Sequence, residues 1–93
     1  MDRLKGKIAL VTGAGTGIGR ACMMKFAEEG STVVGVSRTQ ENLDESLRLT
    51  KSLGGSGAVF SADLSDPVQA ERAVEFCIEK YGRIDILLNA AGV

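Results

Sequence analysis

The stretch Thr12-Gly13-Ala14-Gly15-Thr16-Gly17-Ile18-Gly19 decides how the chain is read. The apolar run Ile8-Ala9-Leu10-Val11 precedes it, and an amphipathic segment reaching Glu29 follows. Strand, glycine turn and helix in that order make a loop suited to cradling a phosphate. Glycine lacks a Cβ, so it allows positive φ and lets backbone approach a ligand closely. The helix behind such a loop points unsatisfied N–H groups and the positive end of its dipole at an anion.

The same alternation continues outward from the loop. Residues 7–11 predict a buried strand. Ile18, Cys22 and Phe26 recur four apart, with Ala21 beside them, and predict the apolar face of a helix that stops at Gly30. The β-branched run at 32–36 predicts a second strand. Residues 40–53 predict a helix with Leu43, Leu47 and Leu49 or Thr50 inward, broken by Gly54-Gly55-Ser56-Gly57. Residues 58–62 predict a third strand. Asp66 as N-cap and Pro67 at the first helical position start a third helix, which runs to about Tyr81 with Ala70, Val74, Cys77 and Ile78 inward. Residues 84–89 close the series as a fourth strand. The order β-α-β-α-β-α-β with continuous apolar strands predicts an α/β fold, a doubly wound parallel sheet covered on both faces. Right-handed crossovers and a switch after the third strand give strand order 3-2-1-4.

Composition narrows the chemistry. The 93 residues are 44% hydrophobic and 25% charged, ordinary for one small globular domain. A net charge of −1 gives no general attraction to nucleic acid or to a membrane surface, so any anion site is local. With no histidine, His-based triads and most zinc sites are excluded. Cys22 and Cys77 fall in helical patterns and read as small buried side chains in a reducing compartment, not as a metal site. The polar start, residues 1–7, shows no signal peptide or membrane span, which makes the cytoplasm the expected location.

Three glycine-loop patterns can be tested against the opening stretch. Walker A requires Lys-Ser or Lys-Thr after its last glycine, whereas Arg20 follows Gly19. This disfavours an NTPase or a flavodoxin-like domain. The strict G-x-G-x-x-G fingerprint also fails: its sixth position is Ile18 when counted from Gly13 and Arg20 when counted from Gly15. The pattern that fits is T-G-x-x-x-G-x-G, with Gly13 for the tight turn, Gly17 leaving room for a pyrophosphate and Gly19 letting the helix pack close to the sheet.

This pattern resembles the short-chain dehydrogenase/reductase family, and the resemblance extends over essentially all 93 residues. Thr12-Gly13, Thr16, Gly17-Ile18-Gly19 look like its cofactor loop. Asp63-Leu64 looks like its adenine-ring contact, and Lys5 to Val11 is similar to its entry into the first strand. Asn89-Ala90-Ala91-Gly92 looks like its N-N-A-G motif, with Ala90 in place of the second asparagine. The resemblance implies a Rossmann-type sheet, here the N-terminal part only. It also implies that Asn89 supports the central sheet while the backbone of Ala90, Ala91 and Gly92 lines the cofactor. Asp63 has a second reading, as a turn residue ahead of the helix, and both readings can hold.

The residue after the second strand sets cofactor preference. An acid there bonds the ribose 2′-hydroxyl of NAD, and an arginine accommodates the 2′-phosphate of NADP. Here the strand ends Ser37-Arg38-Thr39, and the first acid, Glu41, is already in the helix. Arg38 supplies a fork of donors and Ser37 and Thr39 add hydroxyls, which favours NADP over NAD. The family's further aid, a basic residue inside the loop, is replaced by Thr16.

The resemblance further implies hydride transfer to a carbonyl or from a secondary alcohol, small-molecule substrates, and homo-oligomers among full-length relatives. The chemistry of the family uses a Tyr-x-x-x-Lys pair and a serine that follow the N-A-A-G motif. The only tyrosine is Tyr81, with Asp85 four residues on. No catalytic residue is therefore assigned, and the 93 residues alone are expected to bind the dinucleotide without turnover. The alternative is a non-catalytic dinucleotide-binding module or regulator.

Overall fold

The computed structural model describes residues 3–90. Its elements alternate as β1 (Ile8–Thr12), α1 (Gly17–Glu28), β2 (Thr32–Ser37), α2 (Gln40–Ser52), β3 (Ser56–Ser61), α3 (Pro67–Tyr81) and β4 (Ile86–Asn89). All pairings are parallel, and the strand order is β3-β2-β1-β4, as the sequence predicts.

The pleat of β1 and β2 divides the core. Ile8, Leu10, Val34 and Val36 face α3, where they meet Ala73 and Cys77. Ala9, Val11 and Val33 face α1 and α2, where they meet Met23, Ala27 and Leu43. Both central strands are therefore buried on two sides, which is why they read as unbroken apolar runs.

Several boundaries and faces differ from expectation. β3 begins at Ser56, inside the glycine cluster read as a breaker, because β2 pairs along its whole length from Thr32 with Ser56 to Ser37 with Ser61. A Cβ at Gly57 would sit 2.2 Å from the Val33 carbonyl oxygen, so glycine here serves close strand packing. β4 begins two residues late, at Ile86. Asp85 instead makes the entry contact, donating its N–H to the Ile8 carbonyl and accepting the Ile8 N–H on its carboxylate.

Helix α1 buries Gly19, Met23 and Ala27, one residue round from the expected Ile18, Cys22 and Phe26. Ile18 is 58% exposed. The cause is Gly19: a Cβ there would lie 1.7 Å from the Gly13 carbonyl oxygen, so this position must face the loop and it sets the rotation of the whole helix. Helix α3 buries Ala73 and Cys77, while Val74 and Ile78 are exposed. Cys22 is half-buried rather than buried, and both cysteines are free.

Candidate functional site

The glycine loop is held from three sides. On the β2 side, Ala14 donates its N–H to the Val36 carbonyl at 3.2 Å. Gly13 (φ +68°) and Gly17 (φ +56°) take left-handed conformations that side chains resist, so the turn needs glycine at both ends. At Gly19 the helix closes on the loop's own first turn, not on the sheet as expected. The close helix–strand contact is made at Gly35, where a Cβ would meet the Met23 sulfur at 2.8 Å and the Ala14 Cβ at 3.0 Å.

The third support comes from α2. The Ser46 hydroxyl, fully buried, donates to the Ala14 carbonyl at 2.6 Å and lies 3.4 Å from that of Gly15. Arg20 donates Nε–H to the same hydroxyl oxygen at 2.8 Å and a terminal N–H to the Asn42 carbonyl at 3.0 Å. Arg20, directly after the loop, is thus committed to α2.

Beyond the loop, a cleft of about 380 Å³ opens at the carboxyl ends of β1, β2 and β3. Of the predicted site residues it brings together Gly13, Thr16, Ser37, Arg38, Asp63 and Leu64. Gly17 and Ile18 are exposed at the start of α1 next to it, and Gly19 is buried beneath. Thr16 provides no side-chain cap, and the first turn of α1 carries no acid, so its N–H groups face no carboxylate of their own helix. Helix α3 is the contrast, since Asp66 caps it by accepting the Val68 N–H at 3.0 Å.

At the cleft wall, β2 is tied to β3: Ala62 donates its N–H to the Ser37 carbonyl and Ser61 its hydroxyl to that of Arg38. The Arg38 side chain leaves from this fixed backbone and is exposed. Ion pairs among the described residues engage Arg3, Arg48 and Arg83 instead. Asp63 is a turn residue here, accepting from both the hydroxyl and the N–H of Ser65. These two bonds, with a smaller contribution from the Arg38 charge, hold its carboxyl below the usual range.

Asn89 lies apart from this cleft. Its amide oxygen accepts the Thr12 hydroxyl at 2.7 Å, and Ala90 donates its N–H to the Thr12 carbonyl. Asn89 therefore ties β4 to β1 at the mouth of the sheet. Ala91 and Gly92 lie outside the described residues. Tyr81 ends α3, about 22 Å from the start of that helix beside the cleft. It packs on the core, and burial pushes its phenol up.

Sequence reasoning did not single out several residues at the cleft, Ala62 and Ser65 on the β3 side among them. Gly15 and Asn42 line the cleft: a Cβ at Gly15 would meet the Ser37 hydroxyl at 2.8 Å and Asn42 Cβ at 3.1 Å. Ser46 and Arg20 brace the loop from behind. One signal was present, because Leu43, Ser46 and Thr50 fall on one helical stripe, which makes Ser46 a polar group at a core position.

Comparisons with known proteins agree with this fold. Residues 7–93 match the short chain dehydrogenase family. The 3-oxoacyl-[acyl-carrier-protein] reductase FabG of Thermotoga maritima is 42% identical over 91 residues, covering 98% of this chain and 37% of the relative. The short-chain dehydrogenase/reductase homolog YusS of Bacillus subtilis is 38% identical over 88 residues, covering 94% and 81%. This chain thus spans about a third of the length of most of these curated relatives. Hydroxysteroid dehydrogenase from Escherichia coli superposes with a TM-score of 0.94 at 34% identity, over 98% of this chain and 39% of that one. Carveol dehydrogenase from Mycobacterium avium, in complex with NAD, gives 0.92 at 30% identity over 100% and 38%. Actinorhodin polyketide ketoreductase, with NADPH, gives 0.92 at 31% over 100% and 36%.

Proposed function

The chain belongs to the short-chain dehydrogenase family, and from that premise we propose that its 93 residues form a dinucleotide-binding unit that prefers NADP(H). The observation that carries the preference is Arg38, exposed on the cleft wall, with Ser37 and Thr39 on the same cleft. The acid on the opposite wall, Asp63, already has its carboxylate engaged by Ser65.

The residues fit the nucleotide. The uncapped start of α1 and the loop amides suit a pyrophosphate. Arg38 suits a 2′-phosphate, and Asp63-Leu64 the adenine. When bound, the nicotinamide supplies or accepts the hydride. The part of this chain is to bind and orient. For the whole protein we propose oxidoreduction of a carbonyl or secondary alcohol. The 93 residues contain no Tyr-x-x-x-Lys pair, which favours binding without turnover for this chain, as in a dinucleotide-binding module or regulator. Two free thiols suit a reducing compartment such as the cytoplasm.

Titration of NADPH and NADH against wild type and Arg38→Asp tests the preference. Loss of a charge-assisted phosphate contact costs about 1.5–3 kcal/mol, a ten- to 150-fold fall in the NADPH/NADH affinity ratio. A ratio left unchanged by the substitution refutes the role of Arg38.

A further inference from the structure

The Ser46 hydroxyl sits at the junction of three groups. It accepts from Arg20 Nε, donates to the Ala14 carbonyl and has no solvent exposure. A hydroxyl has one proton. Because Arg20 approaches its oxygen as a donor, the proton is directed at Ala14. Every peptide bond among the described residues is trans, and in a trans peptide C=O and N–H point in opposite directions. Fixing the Ala14 carbonyl toward Ser46 therefore turns the Gly15 N–H away from the buried side of α2, and Gly15 lines the cleft.

We propose that Ser46, oriented by Arg20, is a positioning residue for pyrophosphate binding: it sets the peptide planes of the glycine loop so that their N–H groups face the anion. This inference rests on the dinucleotide reading. It gives α2 a role in cofactor affinity although Ser46 cannot touch the cofactor. Preorganised donors bind an anion more tightly than mobile ones because less ordering remains to be done on binding.

The test compares two probes on the full 93-residue chain. NADPH carries the pyrophosphate. Adenosine 2′-monophosphate reaches the Arg38 and adenine side without it. Ser46→Ala is expected to weaken NADPH about five- to tenfold, the loss of one well-placed hydrogen bond, and to leave adenosine 2′-monophosphate within about twofold. Ser46→Thr, which keeps the hydroxyl, is expected to restore most of the NADPH affinity. Arg20→Lys, which loses the directed Nε–H, is expected to fall between wild type and Ser46→Ala. Equal losses for both probes, or a Ser46→Ala chain that binds NADPH as wild type does, overturn the positioning role while leaving the dinucleotide reading intact. A wild-type chain that binds neither probe overturns the dinucleotide reading and this role with it.

Discussion

Ser46 and Thr50 lie one turn apart on the buried face of α2, and both are fully enclosed. Ser46 makes bonds on both sides, but the Thr50 hydroxyl has no hydrogen-bond partner among the described residues. The Thr50 methyl packs close to Gly55, where an added Cβ would meet it at 3.0 Å. A buried hydroxyl without a partner carries its full desolvation cost, and a methyl of the same shape does not. Thr50→Val is therefore expected to stabilise the chain by about 1 kcal/mol, a rise of roughly 4–8 °C in the thermal midpoint. A lower midpoint would mean that the hydroxyl is bonded after all. The corresponding Ser46→Ala change should lower the midpoint, because it orphans the Arg20 donor. Periodicity read from the leucines offers Thr50 as an inward position and passes over Ser46, and it does not say which hydroxyl finds partners. The difference depends on Arg20 and Ala14, which approach from elsewhere in the chain.

At the scale of elements, β1 and β4 are joined through side chains at both ends. Thr12 and Asn89 meet at the mouth, and Asp85 receives the Ile8 N–H at 2.8 Å and Arg83 Nε at 2.8 Å at the base. The Ile8 bond first, then the Arg83 bond, hold the Asp85 carboxyl below its ordinary 3.8. The folded state thus binds this proton less readily than the unfolded chain. The associated stability is present above about pH 4 and is lost as pH falls through the lowered folded value. Urea midpoints at pH 7 and pH 3 check this: wild type should exceed Asp85→Asn at pH 7, and the gap should narrow at pH 3. A gap unchanged with pH would remove the carboxylate charge from the account. The strand order and all seven elements were legible because apolar runs, caps and glycine stops all agree. The entry of β4 was not, since Ile84 extends the apolar run while Asp85 engages β1. The rotation of α1 was hidden for a similar reason: it is set by the contact of Gly19 with Gly13, and a glycine adds nothing to an apolar stripe.

The whole molecule covers its sheet unevenly. Two helices, α1 and α2, pack on one face. Helix α3 alone serves the other, packing against β3. Toward β4 this leaves a cleft of about 550 Å³, lined by Leu10, Ala73, Val74 and Leu87 among others. Leu87 is 64% exposed and Val74 43%. The glycine-loop cleft lies across the carboxyl ends of β1–β3 and is ringed by hydroxyls, an amide and Arg38, whereas this second one is mainly apolar. Contiguous exposed apolar surface of this kind binds hydrophobic dyes and promotes self-association. The free chain is therefore expected to enhance the fluorescence of anilinonaphthalene sulfonate in its native state. Leu87→Lys should cut the enhancement by about half or more, because it removes the most exposed apolar side chain of the patch. The same change should leave NADPH affinity within about twofold, because Leu87 does not line the glycine-loop cleft proposed to hold the dinucleotide and its charge is largely screened there. Dye binding that survives Leu87→Lys, or that NADPH displaces, would place the exposed apolar surface in the glycine-loop cleft and contradict the division of the molecule into one polar and one apolar opening.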